Sequence, residues 1–260
     1  TEEGLNRYDG IMIKSYSICP QAAGKYISSL YGTKKNIWIG TDEGIYIYAY
    51  ATETFTYFDL TTPNNVRITS IVNHILQDKD GNLWFSTNGQ GLFRYNLSKN
   101  YLEQYEFTSA FGIVASTMAD SDNQIWALTN QGESGVYKLN KAENKFEPFG
   151  LLYNAGNHHS QALAMLEDSE QTLWLGTWEC GLQKIDKYTR QTTTYLHPTD
   201  GKGVTHIHSL MEYAPHQLLI GSDDGLLLFN TLTEEYKLFT ENETVPNSLS
   251  NRFVYPIIKD

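Results

Sequence analysis

The chain has 260 residues, among them 18 Tyr, 11 Phe and 5 Trp, and a formal net charge of −11. That length buries a sizeable core, and an aromatic-rich, moderately charged composition belongs to a folded, β-leaning protein and not to a disordered one. The negative charge argues against a nucleic-acid partner, and no apolar run reaches the roughly 20 residues that a membrane-spanning helix needs, so any membrane attachment falls to parts outside this chain.

In chain order, the opening TEEGLNRYDG reads as the tail of a unit covering 1–17, and a full unit follows at about 26–58 around NIWIGTDEGIYIY (36–48). The next, 68–107, divides into four strand-like pieces: ITSIVNHILQD (68–78), NLWFST (82–87), GLFRYN (91–96) and LEQYEF (102–107). Units at 111–149, 160–195 and 204–240 repeat the phrase as QIWALTNQGESGVYKLN, TLWLGTWECGLQKID and QLLIGSDDGLLLFN. The last piece, SNRFVYPIIKD (250–260), aligns with a first strand and stops before the turn and the Trp strand. Together the two ends predict a piece of a longer array in preference to a self-sufficient ring.

A hydroxyl residue marks each phrase. Thr1, Thr41, Thr87, Thr129, Thr177 and Ser222 recur at steps of 40, 46, 42, 48 and 45 residues. A period in the forties, with strand-like content and frequent Gly or Pro, predicts an all-β propeller of four-stranded antiparallel blades, about five complete and partial at both ends, with negligible helix. The Asp/Gly cluster DKDG (78–81), with weaker versions DSDN (120–123) and DSEQ (168–171), predicts a tight turn with one residue at positive φ. After the markers come Gly4, Gly44, Gly91, Gly135, Gly181 and Gly225, where the backbone reverses.

On the first strands, Val72, Val114, Ala162, Ile207 and Val254 are expected on one side, with Leu76, Met118, Leu166, Met211 and Ile258 four residues on. Apolar residues opposite them, such as Ile71, Ile113 and Met165, predict strands covered on both faces. Trp38, Trp84, Trp126 and Trp174 recur at one second-strand position, with Leu219 in the fifth unit. Recurrence in every unit predicts packing between blades and not a ligand box.

The combination D-x-x-G-N-L-W-F-S-T with G-L-F-R-Y-N resembles the two-component regulator propeller repeat, and the Gly-Leu-Asn-Arg-Tyr-Asp-Gly phrase at 4–10 is similar to the end of the first repeat in such proteins. The likeness covers essentially the whole chain, blurred at ADSDNQIWALT and YAPHQLLIGS. It implies the periplasmic sensor half of an inner-membrane receptor, often a hybrid histidine kinase of polysaccharide-degrading bacteria, with kinase and DNA-binding regulator elsewhere in the polypeptide. It further implies a non-catalytic segment that binds an oligosaccharide or other small ligand, with no cofactor; homodimerisation is left open.

Binding residues on a rigid β scaffold usually lie on its loops. The loop YNAGNHHSQ (153–161) enters the fourth unit at the same end as the turn bearing Trp178, which stands where other units have Asp42, Asn88, Asn130 and Asp223. Tyr153, His158, His159 and Trp178 form the expected ligand-binding set; Trp178 is either a sugar-stacking platform or a loop residue packing on its neighbours. His206 and His208, two apart on a predicted first strand, should point the same way, as metal ligands do. No third ligand at matching spacing is evident, so ordinary packed or channel-edge histidines are expected and no metal. The runner-up reading is a propeller enzyme of lyase or lactonase type, with carboxylates or a His–Tyr pair converging at the ring's mouth. A WD-type protein-binding scaffold lacks its signature, since each repeating Trp is followed by Ile, Phe, Ala or Leu. Cys19 and Cys180 fall in non-adjacent units and are expected to be unpaired.

Overall fold

The computed structural model describes residues 5–16, 26–107, 112–129, 135–151, 161–197, 203–242, 248–255 and 257. The chain divides into two compact units, 1–119 and 120–260. Among the described residues there is no helix.

The first strands are β1 (Leu5–Tyr8) and β2 (Ile13–Tyr16), which pair with each other. Next come β3 (Ile27–Gly32), β4 (Asn36–Thr41), β5 (Gly44–Ala49) and β6 (Thr54–Tyr57), followed by β7 (Val72–Gln77), β8 (Leu83–Thr87), β9 (Leu92–Asn96) and β10 (Tyr101–Tyr105). The third set is β11 (Val114–Ala119), β12 (Ile125–Thr129), β13 (Gly135–Asn140) and β14 (Lys145–Leu151). The fourth is β15 (Ala162–Glu167), β16 (Leu173–Thr177), β17 (Leu182–Ile185) and β18 (Thr192–Tyr195), and the fifth is β19 (Ile207–Ala214), β20 (Gln217–Ser222), β21 (Gly225–Asn230) and β22 (Tyr236–Phe239). Each set forms one four-stranded sheet in sequence order, so every blade is a meander. The fold is an all-β propeller built from such blades. Over 250–257 the described residues form no ladder, and the Val254 N–H bonds to the Ser222 carbonyl at 3.0 Å.

Three contacts explain why the same phrase recurs. The first is the hydroxyl marker, fully buried in each of the five blades. Thr87 Oγ1 donates to the Gly91 carbonyl at 2.6 Å and accepts from the Gln90 N–H at 3.2 Å. Thr41, Thr177 and Ser222 repeat both bonds in their own turns, and Thr129 makes both with Gly135, donating to its carbonyl and accepting from its N–H. A short side chain that both donates and accepts is needed there, and the glycine completing the turn has positive φ at Gly44, Gly91, Gly181 and Gly225.

The second contact is an aspartate–tryptophan bond. Asp78 Oδ1 accepts the Asp80 and Asn82 N–H groups at 3.0 and 2.8 Å, closing the turn before β8, while Oδ2 accepts the Trp84 indole N–H at 2.8 Å. Asp120 and Asp168 treat Trp126 and Trp174 in the same way, at 2.9 and 2.7 Å. These indoles are 1, 0 and 1 % exposed, so their N–H has no water to bond. In the first blade Thr33 closes a shorter turn by accepting from Lys35 and Asn36. In the fifth, Tyr213 and Leu219 stand at the two positions, so acid and indole are lost together. Gly81, Asn123, Gln171 and His216 carry the positive φ in these turns, so glycine is not required. The tryptophans pack across blades: Trp38 lies 5.7 Å from Phe85 and Trp174 lies 6.0 Å from Phe229, ring centre to ring centre.

The third contact is a size match. Gly40 abuts the first strand of the next blade, where a Cβ would lie 2.8 Å from the Val72 carbonyl. Gly176 meets Ile207 Cγ2 at 2.5 Å and Gly221 meets the Val254 carbonyl at 2.6 Å in the same sense. Val254 therefore sits against the fifth blade as Val72 and Ile207 sit against the first and fourth. In the third blade the sizes are exchanged: Leu128 takes the glycine position and Ala162 the position of Val or Ile.

One first-strand expectation is corrected. The ladder shifts register between Val72 and His74, with the same shift at Ile27/Ser29, Ala162/Ala164 and Ile207/Ser209. The extra residue of such a bulge breaks the two-residue alternation. Val72 opposes Thr87 and Leu76 opposes Trp84, so these two first-strand residues lie on opposite faces and not on one side. Cys180 is buried, and Cys19 lies outside the described residues.

Gly176→Ala should destabilise the protein by about 1–3 kcal/mol through overpacking. Combined with Ile207→Ala it should cost less than the sum of the two single changes, read from a double-mutant cycle in urea. Asp168→Ala should cost about 1–3 kcal/mol for the orphaned indole N–H alone, whereas Tyr213→Ala, at the position without an indole, should cost measurably less in the same assay.

Candidate ligand-binding site

Trp178 follows the Thr177 marker in a turn held by Thr177 Oγ1, which donates to Gly181 O at 2.8 Å and accepts from Cys180 N–H at 2.9 Å. The Trp178 N–H bonds to Gln161 O at 2.9 Å, and its carbonyl accepts from His206 N–H at 3.0 Å. With its backbone fixed on both sides, the indole stays 38 % exposed. It stacks on the His206 ring at 3.7 Å between centres, with 27° between planes.

His206 lies just before β19, at φ 47°, a left-handed conformation that His tolerates better than most residues. The segment before it is anchored by Asp224, whose Oδ2 accepts from Thr205 N–H at 2.8 Å and from its hydroxyl at 2.9 Å. His208 sits at the bulge of β19. Both imidazoles converge on Asp223, the residue after the Ser222 marker: His206 Nδ1 bonds to Oδ2, and His208 Nε2 bonds to Oδ1 at 2.7 Å. The Tyr255 ring lies 4.4 Å from that of His208, and Tyr255 is 56 % exposed. Trp178, His206, Asp223, His208 and Tyr255 thus form one continuous cluster.

One expectation changes. His206 and His208 are not parallel ligands on one strand face: a bulge and a left-handed residue intervene, and the rings stand 61° apart. What joins them is a shared carboxylate, and among the described residues no group of three or more His, Cys, Asp and Glu is arranged to hold a metal. Tyr153, His158 and His159 lie outside the described residues. Trp178 is exposed at a loop and packed on a neighbour. Asp223 and Tyr255 were not singled out, because GSDDG has the same shape as GTDEG in the first blade and reads as turn chemistry. The signal lay in the His-x-His beside it.

Burial pushes the Asp223 carboxyl up, but hydrogen bonds from His206 and His208 and their charges more than offset this, leaving it below the usual carboxylate range. A second charged cluster involves Lys187, whose ammonium lies 2.7 Å from Glu167, 3.6 Å from Asp122 and 3.8 Å from Asp120. Burial lowers its pKa, the three carboxylates raise it by more, and the balance is a raised value.

Residues 65–89 match the two component regulator propeller family. That match spans the Asp78–Trp84 turn and the Thr87 marker, the two contacts on which the other blades are variations. One repeat of the chain thus matches that family's model. The chain is similar to histidine kinase P4 of Formosa agariphila, with 26 % identity over 229 residues, covering 84 % of this chain and 16 % of that protein. Among solved structures it resembles the extracellular domain of the hybrid two component system BT3049 from B. thetaiotaomicron, with TM-score 0.80 and 22 % identity over 100 % of this chain and 35 % of that one. Virginiamycin B lyase from Staphylococcus aureus shares the fold at TM-score 0.63 and 16 % identity, over 85 % of this chain and 71 % of that one. The propeller thus spans about a sixth of the kinase and a third of the extracellular domain.

His74, on β7, contrasts with the clustered pair. Its Nδ1 accepts from the Thr117 N–H at 3.4 Å, and burial pushes its pKa down from 6.5 to about 4. Between those values the unfolded chain binds a proton that the folded one refuses, so stability is full above pH 6.5 and falls as the pH drops toward 4. Denaturation midpoints should show this loss, on the order of 3 kcal/mol, and His74→Gln should flatten the pH dependence across that window.

Proposed function

We propose that this propeller is the ligand-sensing part of an extracytoplasmic receptor of the two-component type, lying in the periplasm and responding to glycan fragments. The observation that carries the reading is the Trp178–Tyr255 cluster: it departs from the repeat, is displayed on loops, and presents exposed aromatic faces beside imidazole groups. Aromatic rings flanked by hydrogen-bonding side chains suit a sugar, whose C–H face stacks and whose hydroxyls bond. Kinship with a histidine kinase and an extracellular domain of a signalling system supports the sensing role. In this reading the segment binds without catalysing, Tyr153, His158 and His159 extend the site, and kinase chemistry and membrane attachment belong to other parts of the polypeptide. Pairing of two receptor copies would give a route for the signal.

The test is calorimetry on the purified propeller with neutral and acidic oligosaccharide panels. Trp178→Ala should weaken any binder at least about tenfold, a loss of roughly 1.4 kcal/mol, and the bound sugar should be recovered unchanged. Binding unaffected by that change would place the site elsewhere, and turnover of the sugar would favour a propeller enzyme.

A further inference from the structure

Of the four repeating tryptophans, Trp38 keeps its place without the aspartate. Its ring is 4 % exposed and packs against Phe58 and Phe85. In the second blade the Asp78 carboxylate serves the turn N–H groups through Oδ1 and the Trp84 indole through Oδ2, which also accepts from the Asn82 amide at 2.9 Å. By strand register the first blade has Thr33 in place of Asp78 and Asn36 in place of Asn82. Thr33 has one side-chain oxygen where an aspartate has two, and the turn takes it: that oxygen accepts from Lys35 and Asn36 N–H and donates to the Asn36 carbonyl. Among the described residues, neither the Trp38 indole N–H nor the Asn36 side-chain amide has a hydrogen-bond partner.

Both side chains line an open cleft of about 510 Å³ between the first and second blades. Ile47, Phe58, Leu60, Tyr95 and Leu97 make much of its wall apolar. Asp59 also lines it but is paired with Arg67 at 2.7 Å, and the Tyr95 hydroxyl donates to Asn100 at 2.9 Å. The turn closed by Thr33 carries Lys34 and Lys35, both exposed and in no ion pair among the described residues. Two donors that share a carboxylate in the next blade are matched to one brought from outside, and a buried donor without an acceptor is costly. The lysines favour an anion, and the apolar wall calls for a ring beside the charge. We propose that this cleft binds a small carboxylic acid whose carboxylate adjoins a ring, with Trp38 and Asn36 donating to its oxygens. The site shares no residue with the Trp178 cluster.

The experiment is nuclear magnetic resonance of the ¹⁵N-labelled chain, whose five tryptophans each give one indole N–H signal. Trp38→Phe assigns the signal that belongs to this cleft. Phenylacetate and galacturonate are the probes, with phenylacetamide and galactose as their uncharged controls. At least one acid should move the Trp38 signal downfield and saturate at about millimolar concentration, as ligands of this size do. Its control should bind at least about tenfold more weakly. Which acid responds tells an aromatic acid from a sugar acid. Thr33→Asp supplies the second oxygen from within the chain. That variant should move the same signal without ligand, keep the denaturation midpoint, and weaken the acid at least about tenfold. Asn36→Ala removes the other donor while leaving the turn backbone, and should weaken the acid about threefold to tenfold. Trp178→Ala should leave this response unchanged, so failure here and failure of the sensing site are read separately. No saturable shift with either acid would overturn the proposal, as would an equal response to acid and control. Full affinity in a folded Thr33→Asp, or in Asn36→Ala, would overturn it as well.

Discussion

A buried indole N–H must have an acceptor, and much of this molecule is arranged around supplying one. Each of Asp78, Asp120 and Asp168 divides its carboxylate between backbone and side chain: one oxygen closes the turn between the first two strands, the other receives the tryptophan. Turn geometry and core packing therefore depend on a single group. The largest side chain of the blade can then be buried against its neighbour without stranding a donor. Where the tryptophan gives way to Leu219, the aspartate gives way to Tyr213. Neither half of the pair persists alone in the fifth blade.

The candidate site appears where these regularities are relaxed. In the first two blades the bulged first-strand residue, Ser28 or Asn73, bonds the carbonyl of the next blade's opening residue, Val72 or Val114. In the fifth blade the bulge position is His208, which turns instead to Asp223 and packs on Tyr255. The position after the marker, polar elsewhere, is Trp178 in the fourth. Two adjacent blades thus depart from the repeat at positions that meet in space, which is what a binding function laid over a repeating scaffold requires.

The period, the glycines and the hydroxyl markers made the blades legible in the sequence, because each reports a local necessity: a reversing backbone, a turn needing both donor and acceptor, a strand between two neighbours. The bulge was not legible. Val72 and Leu76 read as one face by parity, and nothing in ITSIVNHILQD marks the extra residue. The same hidden residue turned apart His206 and His208, which parity had pointing the same way. Trp178 stood out because it broke a column of polar residues. Asp223 did not, because it conformed to that column and only its partners on the neighbouring strand set it apart.

The exchange of sizes at Leu128 and Ala162 bears on the order of the blades. Elsewhere a small residue receives a Val or Ile from the next blade; at this one junction a large residue meets an alanine. A chain of near-identical modules runs the danger of docking each on the wrong successor while it folds. Were the third blade to meet the first strand of the second or fifth, Leu128 would press on Val72 or Ile207, and a fourth blade displaced onto a glycine would leave a void. The size match at a blade junction can thus be written either way round, and within this chain the pair Leu128 and Ala162 is the one written in reverse of the glycine junctions.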